Sequence, residues 1–284
     1  MKKVAIQGIL GSYHEIAAHA FFEKEEIELI CCTTFKEVFS QIEKDPEVIG
    51  VIAIENTIAG SLLPNYTLLR NSNLTIVGEY KLRIEHNLVA LKGQKIDDLK
   101  EVHSHPMALM QCEEYLGKHQ NLKAVEDADT ASSAKNIRDQ QLFGHAAICS
   151  LSAAKEYDLE VLAEGIETNK HNFTRFLIVA TPEKTKELLK DKKVNKSSLV
   201  FTLPHEEGSL SKVLSILSFY HINLTKIQSL PVLGREFEYL FYINLTFDDI
   251  DRYKQSLSAI HPLIKDLKVL GEYVEAPHNN QIRY

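Results

Sequence analysis

The feature that most constrains the fold is an alternation between short apolar runs and segments with helical periodicity, from residue 3 to about 180. The apolar runs are rich in β-branched residues and predict strands, whereas apolar residues spaced three and four apart predict amphipathic helices. Strands that alternate with helices usually form largely parallel sheets covered by the helices. We therefore predict an α/β fold for this part of the chain.

The predicted elements of this region follow from the printed sequence. The predicted strands are VAIQG, ELICC, VIGVIAIEN, LTIVGEYKL, EHNLVAL, EVHSH, KAVED, HAAICS and FTRFLIVAT. The predicted helices cover 12–24, 34–44, 107–119, 130–140 and 151–157. Capping boxes, Ser12-x-x-Glu15 and Thr34-x-x-Glu37, begin two of these helices.

After Pro182 the composition changes, and the segment EKTKELLKDKKVNK carries six lysines. Such a segment is typical of a solvated linker, here partly helical. Beyond it a new pattern follows: strand SSLVFTLP, helix GSLSKVLSILSFY, strands INLTKIQSLPV and EFEYLFYINLTF, helix DIDRYKQSLSAIHPLI and strand LKVLGEYV. The order βαββαβ predicts a ferredoxin-like domain. Because a small sheet of this kind leaves edges to cover, we expect self-association.

The bulk composition excludes several classes of partner. The chain has 284 residues, with 32 basic and 39 acidic side chains. This mildly acidic balance without a basic block argues against nucleic acids and anionic membranes as partners. The sequence has no apolar stretch of the roughly 20 residues needed to span a bilayer, and its first residues lack the features of a signal peptide. We expect a cytosolic protein whose partners are small molecules or other chains.

The cysteines and histidines give no strong metal signal. Cys31, Cys32, Cys112 and Cys149 lack paired ligand spacing, so we interpret them as buried free thiols in a reducing compartment. His103 and His105 are close enough in sequence to share a metal, but no nearby Cys, His or carboxylate cluster completes the site. We therefore expect no metal.

Polar clusters follow several predicted strands at the points where they end. The segment Gly8–Ser12 joins a strand to a helix, and glycine turns of this kind can expose helix N–H groups to an anion. The other clusters are Glu55-Asn56-Thr57, Ser104-His105-Pro106 and Asp129-Thr130. Each hydroxyl or carboxylate can instead cap the helix that follows it. Their joint occurrence at the carboxyl ends of strands favours a ligand site.

The polar cluster Asn172-Phe173-Thr174-Arg175 lies directly before the apolar run Phe176–Ala180. The run predicts a buried strand, and the cluster then forms the mouth of that strand. An amide, a hydroxyl and a guanidinium on a rigid element can hold a ligand. The alternative is a solvated strand start.

Five segments, GSYHEIAA, AIENTIAGS, SHPMALMQC, DADTASSA and NFTRFLIV, resemble the signature segments of the prephenate dehydratase family in order and approximate spacing. The βαββαβ region resembles the ACT regulatory domain that is fused to this enzyme in many bacteria. Together these similarities cover nearly the whole chain.

The resemblance implies a two-lobed catalytic domain similar to type II periplasmic binding proteins, with the active site between the lobes. The implied catalytic domain is 1–181, with lobe one at about 1–76 and 158–181 and lobe two at about 77–157. The linker is then 182–196, the ACT domain 197–276 and a polar tail 277–284.

The resemblance also implies an activity, the conversion of prephenate to phenylpyruvate on the route to phenylalanine, without a cofactor. Thr174 matches the essential hydroxyl of the family, and Arg175 is the implied clamp for a carboxylate because its planar fork binds carboxylates bidentately. The remaining implied catalytic residues are Asn56, Glu55, Ser104 and Gln111. The implied substrate-binding residues are Ser12, Tyr13, Thr57, Thr130, Asn172 and Phe176. The sequence leaves open whether Thr174 donates a proton or only a hydrogen bond.

Three positions depart from the family pattern. His14 stands where the family commonly has serine, Met107 stands for glutamine, and Thr57 stands for serine. These differences affect the expected orientation of the substrate. Thr174, Arg175, Asn56 and Gln111 are intact, so we expect catalysis.

In ACT domains of this family, phenylalanine binds between paired domains through a Gly-Ala-Leu segment and an ESRP segment. The implied effector residues here are Gly208, Ser209, Leu210, Asn223, Leu224, Gln228 and Ser229. The second segment reads Gln228-Ser229-Leu230-Pro231, so both charged positions are neutral, and we expect weak binding of phenylalanine by a homodimer or homotetramer. Alternatively, the domain serves only dimerisation.

Two other functions remain open from the sequence. An arogenate dehydratase would act on the aminated relative of prephenate and use the same segments. A non-catalytic receptor for an amino acid or an aromatic acid would also combine a two-lobed cleft with an amino-acid sensor, although the Thr174-Arg175 segment favours an enzyme.

Overall fold

The computed structural model describes residues 1–23, 25–232 and 238–277. The chain divides into two compact units. The first comprises 1–65 and 80–177, and the second comprises 66–79 together with the described residues from 178 onward. The second unit thus takes a segment from the middle of the predicted catalytic domain.

The described residues form fifteen strands and ten α-helices. The strands are β1 Lys2–Gln7, β2 Ile27–Cys32, β3 Ile49–Asn56, β4 Gly60–Ser61, β5 Thr75–Arg83, β6 Asn87–Ala90, β7 Glu101–Ser104, β8 Lys123–Glu126, β9 His145–Cys149, β10 Glu160–Ala163, β11 Phe173–Ala180, β12 Lys196–Leu203, β13 Asn223–Pro231, β14 Tyr239–Thr246 and β15 Lys265–Tyr273. The helices are α1 Tyr13–Phe21, α2 Phe35–Lys44, α3 Leu63–Asn71, α4 Pro106–Gln111, α5 Glu113–Lys118, α6 Thr130–Gln140, α7 Leu151–Glu156, α8 Pro182–Leu188, α9 Ser209–Phe219 and α10 Ile250–Ile260.

The first sheet has the strand order β2-β1-β3-β11-β5, with the two-residue β4 paired to β3. Strand β1 runs parallel to both of its neighbours. The β3 residues from Ile49 to Ile54 are all buried. A strand that is apolar on both faces belongs at the centre of a sheet covered on both sides, which explains its continuous apolar run.

The second sheet has the order β10-β6-β9-β7-β8. Strand β7 runs parallel to β8 and β9, whereas β6 runs antiparallel to β9 and β10. Separate apolar clusters contain alternate residues of β6, Leu88 and Ala90 in one and Val89 in the other. Since successive side chains of a strand point to opposite faces, both faces of this sheet are covered. The predicted α/β fold is confirmed.

The sheets correct the expected positions at which the chain crosses between lobes. The family resemblance implies that the chain crosses near residues 75–80 and returns near 155–160. Strand β5 still belongs to the first sheet and β10 to the second, so the chain crosses at 84–86 and returns at 164–172. Pairing of β5 in the first sheet and of β10 with β6 accounts for both shifts.

The predicted helix 107–119 is in fact two helices, α4 and α5, separated at Cys112. The carbonyl of Gln111 accepts a hydrogen bond from Thr168 N (2.8 Å), a partner far along the chain. Helix α3 was not predicted, because its polar and apolar residues show little amphipathic order.

The second unit contains an antiparallel sheet of order β13-β14-β12-β15. Helices α9 and α10 contribute Val213, Leu217 and Tyr253 to its apolar core. The predicted ferredoxin-like βαββαβ order is confirmed. The predicted linker 182–196 contains α8, which Thr181 caps through Lys184 N, and ends with the first residue of β12. Of the predicted tail, residues 278–284 lie outside the described residues.

Residues 66–79 pack within the second unit through specific contacts. Lys196 Nζ lies 2.9 Å from Glu79 Oε1, and both side chains are buried. Lys268 Nζ donates hydrogen bonds to the carbonyl oxygens of Arg70 (2.6 Å) and Ser72 (2.5 Å) at the end of α3. A side chain on Gly271 would meet the backbone of Ile76 at 2.6 Å, so glycine permits this close approach.

All four cysteines are free thiols. Cys32, Cys112 and Cys149 are buried as predicted, but Cys31 is exposed, because neighbouring residues of β2 face opposite sides. Burial raises the pKa of both Cys112 and Cys149 to about 12. Among the described residues, none of the helices combines the length and the apolar character that a membrane span requires.

Candidate functional site

The first unit contains a pocket of about 260 Å³. Its lining comes from the ends of β1 and β3, the start of β11, the starts of α1, α4 and α6, and the segment between β5 and β6. Both sheets of the unit therefore contribute to it. This size suits a small organic molecule.

The start of α1 is held against the pocket by a close approach of two backbones. Gly11 has φ +84°, and a Cβ there would lie 2.6 Å from Ala153 Cα. The Gly11 carbonyl accepts a hydrogen bond from Ser150 Oγ (2.7 Å). Ser12 caps α1 by accepting from Glu15 N (3.3 Å), as the predicted capping box implies. This glycine turn places Ser12, Tyr13 and His14 in the lining.

The side-chain amide of Asn56, at the end of β3, is fixed in orientation by four hydrogen bonds. Its Oδ1 accepts from the backbone N–H groups of Ile58 and Ala59, both at 2.9 Å. Its Nδ2 donates to Asn172 Oδ1 (2.7 Å) and to Thr174 Oγ1 (3.0 Å). Because an amide nitrogen only donates, Thr174 must accept in this bond, and its own O–H proton remains available for another acceptor.

The network continues through two buried amides. Asn172, which is fully buried, donates from Nδ2 to Gln111 Oε1 (2.8 Å). The same oxygen lies 2.9 Å from His86 Nε2. An amide oxygen only accepts, so Nε2 of His86 carries a proton in this arrangement. Asn56, Asn172, Gln111 and His86 therefore form one hydrogen-bonded chain beside Thr174.

His86 lies on the segment that crosses from the first sheet to the second. Its backbone N–H donates to Glu167 Oε2 (2.9 Å), a carboxylate that is buried. The Tyr13 hydroxyl lies 3.0 Å from His86 Nδ1 and 2.6 Å from the carbonyl oxygen of Glu85. With a single proton, Tyr13 can donate to only one of these acceptors at a time.

Strand β11 separates its side chains between two faces. Thr174 and Phe176 line the pocket, but Arg175 between them does not. Arg175 is buried, and its Nη1 lies 3.6 Å from Glu55 Oε1 on the neighbouring strand β3. Alternation along a strand explains this arrangement. The expected carboxylate clamp therefore faces away from the pocket, and neither Arg175 nor Glu55 is in the lining.

Three further predicted residues contribute structure rather than lining. The Ser104 hydroxyl is fully buried and donates to the carbonyl of Ile148 (2.7 Å) on β9. Thr57 Oγ1 donates to the carbonyl of His171 (2.9 Å) and accepts from Phe173 N (2.9 Å). These bonds join neighbouring segments. Asn172 also stays behind the lining, where it positions Asn56 and Gln111.

Several lining residues were missed by sequence reasoning. They include His86 and the apolar residues Leu62, Ile84 and Ala108. His105 and Asp129 also line the pocket; they belong to polar clusters identified from the sequence but were not among the implied site residues. His105 and Asp129 begin helices, with His105 Nδ1 accepting from Met107 N (3.2 Å) and Asp129 Oδ1 from Ser132 N (2.7 Å). Their place at strand ends was a usable signal. His86 gave none, since the interpreted strand EHNLVAL placed it inside an element.

Burial disfavours the charged form of two histidines in the lining. Burial lowers the pKa of His14 to about 3, and Ala53 N donates to its Nε2 (3.2 Å). Burial also lowers the pKa of His86, although Gln111 and Glu167 oppose that effect. Burial raises the pKa of Tyr13. Among the described lining residues there is neither lysine nor arginine, so donors to an anion must come from hydroxyls, neutral side chains and the starts of α1 and α6.

The predicted effector residues lie in the second unit. Gly208 precedes α9 with φ +73°, and Ser209 Oγ donates to the carbonyl of Glu206 (2.9 Å) in the same turn. Leu210 packs against the apolar core of that unit. The conformation at Gly208 favours glycine, which supports the similarity at this position.

The predicted effector residues of β13 divide between the two faces of its sheet. Leu224 pairs with Leu245 and Ser229 with Phe241, and both partners belong to the core beneath the helices. A register shift between Leu224 and Lys226 changes the alternation, so Gln228, opposite Tyr242, lies on the other face. Asn223 is exposed and donates to Thr246 Oγ1 (3.3 Å).

Comparison with known proteins identifies the family. The sequence profile described as "Prephenate dehydratase" matches residues 4–184. "Arogenate dehydratase 2" of Petunia hybrida is 38% identical over 286 residues, covering 95% of this chain and 71% of the relative. "Bifunctional chorismate mutase/prephenate dehydratase" of Buchnera aphidicola is 32% identical over 270 residues, covering 94% and 69%.

A solved structure of similar fold extends over both units. It is a prephenate dehydratase from Arthrobacter aurescens in complex with L-Phe, with a TM-score of 0.84 and 27% identity. The match covers 96% of this chain and 89% of that one.

Proposed function

Since the chain belongs to the prephenate dehydratase family, we propose that it removes water and carbon dioxide together from prephenate, leaving phenylpyruvate. The observation that carries this proposal is the hydroxyl of Thr174 in the pocket lining, oriented by Asn56 so that its proton is available to a ligand. The lyase chemistry belongs to the family. The substrate and the residue roles are our proposals.

The reaction makes limited demands on the protein. The bond between the ring carbon and its carboxylate breaks and releases carbon dioxide, and its electron pair forms a new ring double bond. The hydroxyl on the opposite ring carbon leaves and takes up a proton to become water. Because the product is aromatic, the driving force is intrinsic. The enzyme must hold the substrate and assist the departing hydroxyl with a proton or a hydrogen bond.

Thr174 is the residue we assign to the departing hydroxyl. Asn56 Nδ2 uses an acceptor site of Oγ1, which directs the O–H proton elsewhere. A threonine hydroxyl is a weak acid, so we propose that it donates a strong hydrogen bond within a fixed network. The network through Asn172, Gln111 and His86 supports this assignment because it fixes the amide of Asn56.

We assign the binding of substrate carboxylates to helix starts and hydroxyls. Arg175 faces Glu55, and the described lining has no arginine or lysine that would replace it. The start of α1, with Ser12 and Tyr13, and the start of α6, with Thr130, both border the pocket. Helix N-termini attract negative charge through their free N–H groups.

Arogenate is the second candidate substrate, and the charge of the lining favours it. Asp129 brings a carboxylate to a lining without lysine or arginine among the described residues. The ammonium group of arogenate would interact favourably with Asp129, whereas the neutral ketone that prephenate has at that position would gain no such attraction. A relative named arogenate dehydratase, at 38% identity, supports the same candidate.

We also propose that the ferredoxin-like domain is an ACT domain that binds L-phenylalanine weakly in a homodimer or homotetramer. A related prephenate dehydratase structure contains L-Phe. Strand β13 lies at the edge of its sheet and carries Gln228 and Ser229. An unpaired strand edge can pair with a second copy of the chain.

To test the function, the purified chain is incubated with prephenate and, in parallel, with arogenate. Phenylpyruvate is followed by its absorbance in alkali, and phenylalanine by amino-acid analysis. Asp129→Asn is assayed on both substrates. We expect it to reduce kcat/KM for arogenate more than for prephenate, because only arogenate has an ammonium group for Asp129 to bind.

Ligand binding without turnover would identify a receptor. If neither substrate gives product while calorimetry detects binding, the lyase proposal is wrong. If Asp129→Asn changes both substrates equally, Asp129 does not choose between them.

A further inference from the structure

The second sheet of the first unit carries a group of histidines and carboxylates that are not in the pocket lining. Glu101 begins β7 and His145 begins β9, and the register pairs these two residues directly. His103 is two residues beyond Glu101 on β7, so both side chains extend from the same face. The parallel pairing of two strands thus collects three potential metal ligands that are distant in sequence.

The distances between the donor atoms suit a small metal ion. His103 Nε2 lies 3.0 Å from His145 Nδ1 and 3.5 Å from Glu101 Oε2, and His145 Nδ1 lies 3.6 Å from the same oxygen. Zinc bonds to imidazole and carboxylate are about 2.0–2.2 Å long, and tetrahedral angles then separate neighbouring ligands by roughly 3.3–3.5 Å. The three donors already form a triangle of this size.

A second ring of charged groups supports these donors. Asp127 Oδ2 lies 3.6 Å from His103 Nδ1, the ring nitrogen that faces away from the triangle. Metal-ligating histidines commonly direct their second nitrogen to a carboxylate, which fixes the tautomer. Lys123 Nζ lies 3.3 Å from Glu101 Oε1 and leaves Oε2 directed towards the histidines.

The cluster is also accessible. The side chains of Glu101 and His145 are each 29% exposed, while that of His103 is 12% exposed. An ion can therefore enter from solvent, and water can complete the coordination. Two imidazoles that face each other at 3.0 Å with a carboxylate beside them can share a divalent cation in place of a proton.

We propose that Glu101, His103 and His145 form a surface site for a zinc-class divalent transition-metal ion. Two imidazoles and one carboxylate select such ions over calcium and magnesium, which prefer oxygen ligands alone. The ion would join β7 to β9 at their amino ends. The sequence pair His103 and His105 is not the ligand pair, because His105 lines the pocket instead.

The test is a calorimetric titration of the metal-stripped full chain, without a histidine tag, with ZnCl₂. We expect one high-affinity Zn²⁺ per chain and a melting temperature that rises with Zn²⁺. Cobalt gives an independent signal, since tetrahedral Co²⁺ absorbs strongly in the visible.

Variants locate the site. Asp127→Asn should weaken Zn²⁺ by about 10–100-fold, the usual effect of losing a carboxylate behind a ligating histidine. Glu101→Gln and His145→Asn should weaken it more than Asp127→Asn. His119→Asn, which removes a histidine outside the cluster, is the matched control and should bind like the parent.

These binding measurements distinguish a metal site from a hydrogen-bonded surface network, and they need no activity measurement. Glu101→Gln nearly preserves side-chain shape, so circular dichroism of this variant separates lost ligation from lost folding. Absence of heat and of any thermal shift in the parent would leave the cluster as a hydrogen-bonded surface network. Unchanged Zn²⁺ affinity in folded Glu101→Gln and His145→Asn would place any binding elsewhere and overturn the assignment.

Discussion

The pocket of the first unit and the predicted effector region of the second differ in how their polar groups are held. In the pocket, Asn56 bonds to Asn172, which is 116 positions away in sequence. In the effector region, Ser209 bonds to Glu206 in its own turn, and Gln228 donates to the carbonyl of the next residue, Ser229 (3.0 Å). Tertiary structure fixes the polar groups of the pocket, whereas local backbone fixes the side chains of Ser209 and Gln228.

This difference indicates which polar groups the chain positions fully by itself. Long-range bonds to buried amides fix donors before a ligand arrives, which is the arrangement that catalysis requires. Groups held only by neighbours in sequence leave their outer side to be satisfied by solvent, an effector or a second chain. We therefore expect substitutions in the pocket to change turnover, and those on β13 to change regulation.

The largest effect is expected for Thr174→Ala. The change removes the hydroxyl that we assign to the departing group, so kcat should fall by roughly 100-fold or more. Stability should fall by only about 1 kcal/mol, because one hydrogen bond with Asn56 is lost. Steady-state kinetics and thermal melting measure the two effects.

Thr174→Ser is the matched control, since it keeps the hydroxyl and should retain most of the turnover. If Thr174→Ala keeps more than half of the parent kcat, the hydroxyl is not essential and the pocket loses its proposed role.

The next effect concerns the effector region, where Gln228→Glu with Leu230→Arg introduces the family's two charges. A charge-assisted hydrogen bond contributes about 1.5–3 kcal/mol, so phenylalanine should bind roughly ten- to a hundredfold more tightly. Calorimetry at millimolar phenylalanine measures the parent and the variant. Turnover measured with and without phenylalanine shows whether binding regulates the enzyme.

Gln120→Glu adds a negative charge on the surface of the first unit and serves as a control. No heat from the parent, from the double variant or from the control, with unchanged turnover, would leave the domain as a dimerisation unit.

The third prediction concerns how the free energy of unfolding depends on pH through a buried histidine of the pocket. His14 has a pKa of about 3 in the folded protein because it is buried, against 6.5 in the unfolded chain. Between these values the unfolded chain binds more protons, so the free energy of unfolding decreases as pH falls below 6.5. The contribution of one such group is about 1.4 kcal/mol per pH unit.

His14→Ser should reduce the slope of the free energy of unfolding against pH by up to about 1.4 kcal/mol per pH unit between pH 6.5 and 4.5. Denaturant unfolding at several pH values measures it. His19→Ser, which replaces an exposed histidine on the same helix, is the control and should leave the slope near that of the parent. Equal slopes for all three proteins would contradict the burial argument for His14.

Much of the fold was predictable because the spacing of apolar residues in the sequence reflects which side chains are buried. The buried runs of β3 and β11 and the βαββαβ order follow directly from apolar spacing. The crossing points between sheets were not predictable, because pairing of β5 and β10 depends on partners far along the chain. Helix α3 lacks the amphipathic pattern that would have revealed it.

The sequence predicted several residues of the site, but not the direction in which their side chains point. Asn56, Gln111 and Thr174 were identified and do form one network. Which side of β11 each residue faces depends on the register of the sheet, and a shift of one residue would exchange Thr174 with Arg175. His86 was missed because its role arises only where the chain passes between the sheets.

The smallest effect on catalysis is expected for Arg175→Lys, although sequence reasoning made this residue a clamp. If Arg175 held a substrate carboxylate, the loss of its fork would raise KM by about ten- to a hundredfold. Its Nη1 instead lies 3.6 Å from Glu55 Oε1, on the face of β11 away from Thr174. KM and kcat should therefore stay close to the parent values.

The contact with Glu55 should appear in stability instead. A double-mutant cycle with Arg175→Met and Glu55→Gln should give a coupling of about 1 kcal/mol, modest because the Glu55 side chain is 29% exposed and screened by solvent. Additive changes in stability, together with a tenfold rise in KM for Arg175→Lys, would show that Arg175 binds a substrate carboxylate. That result would also require Arg175 to reach the pocket across β11, and the contrast between the two faces of this strand would then fail.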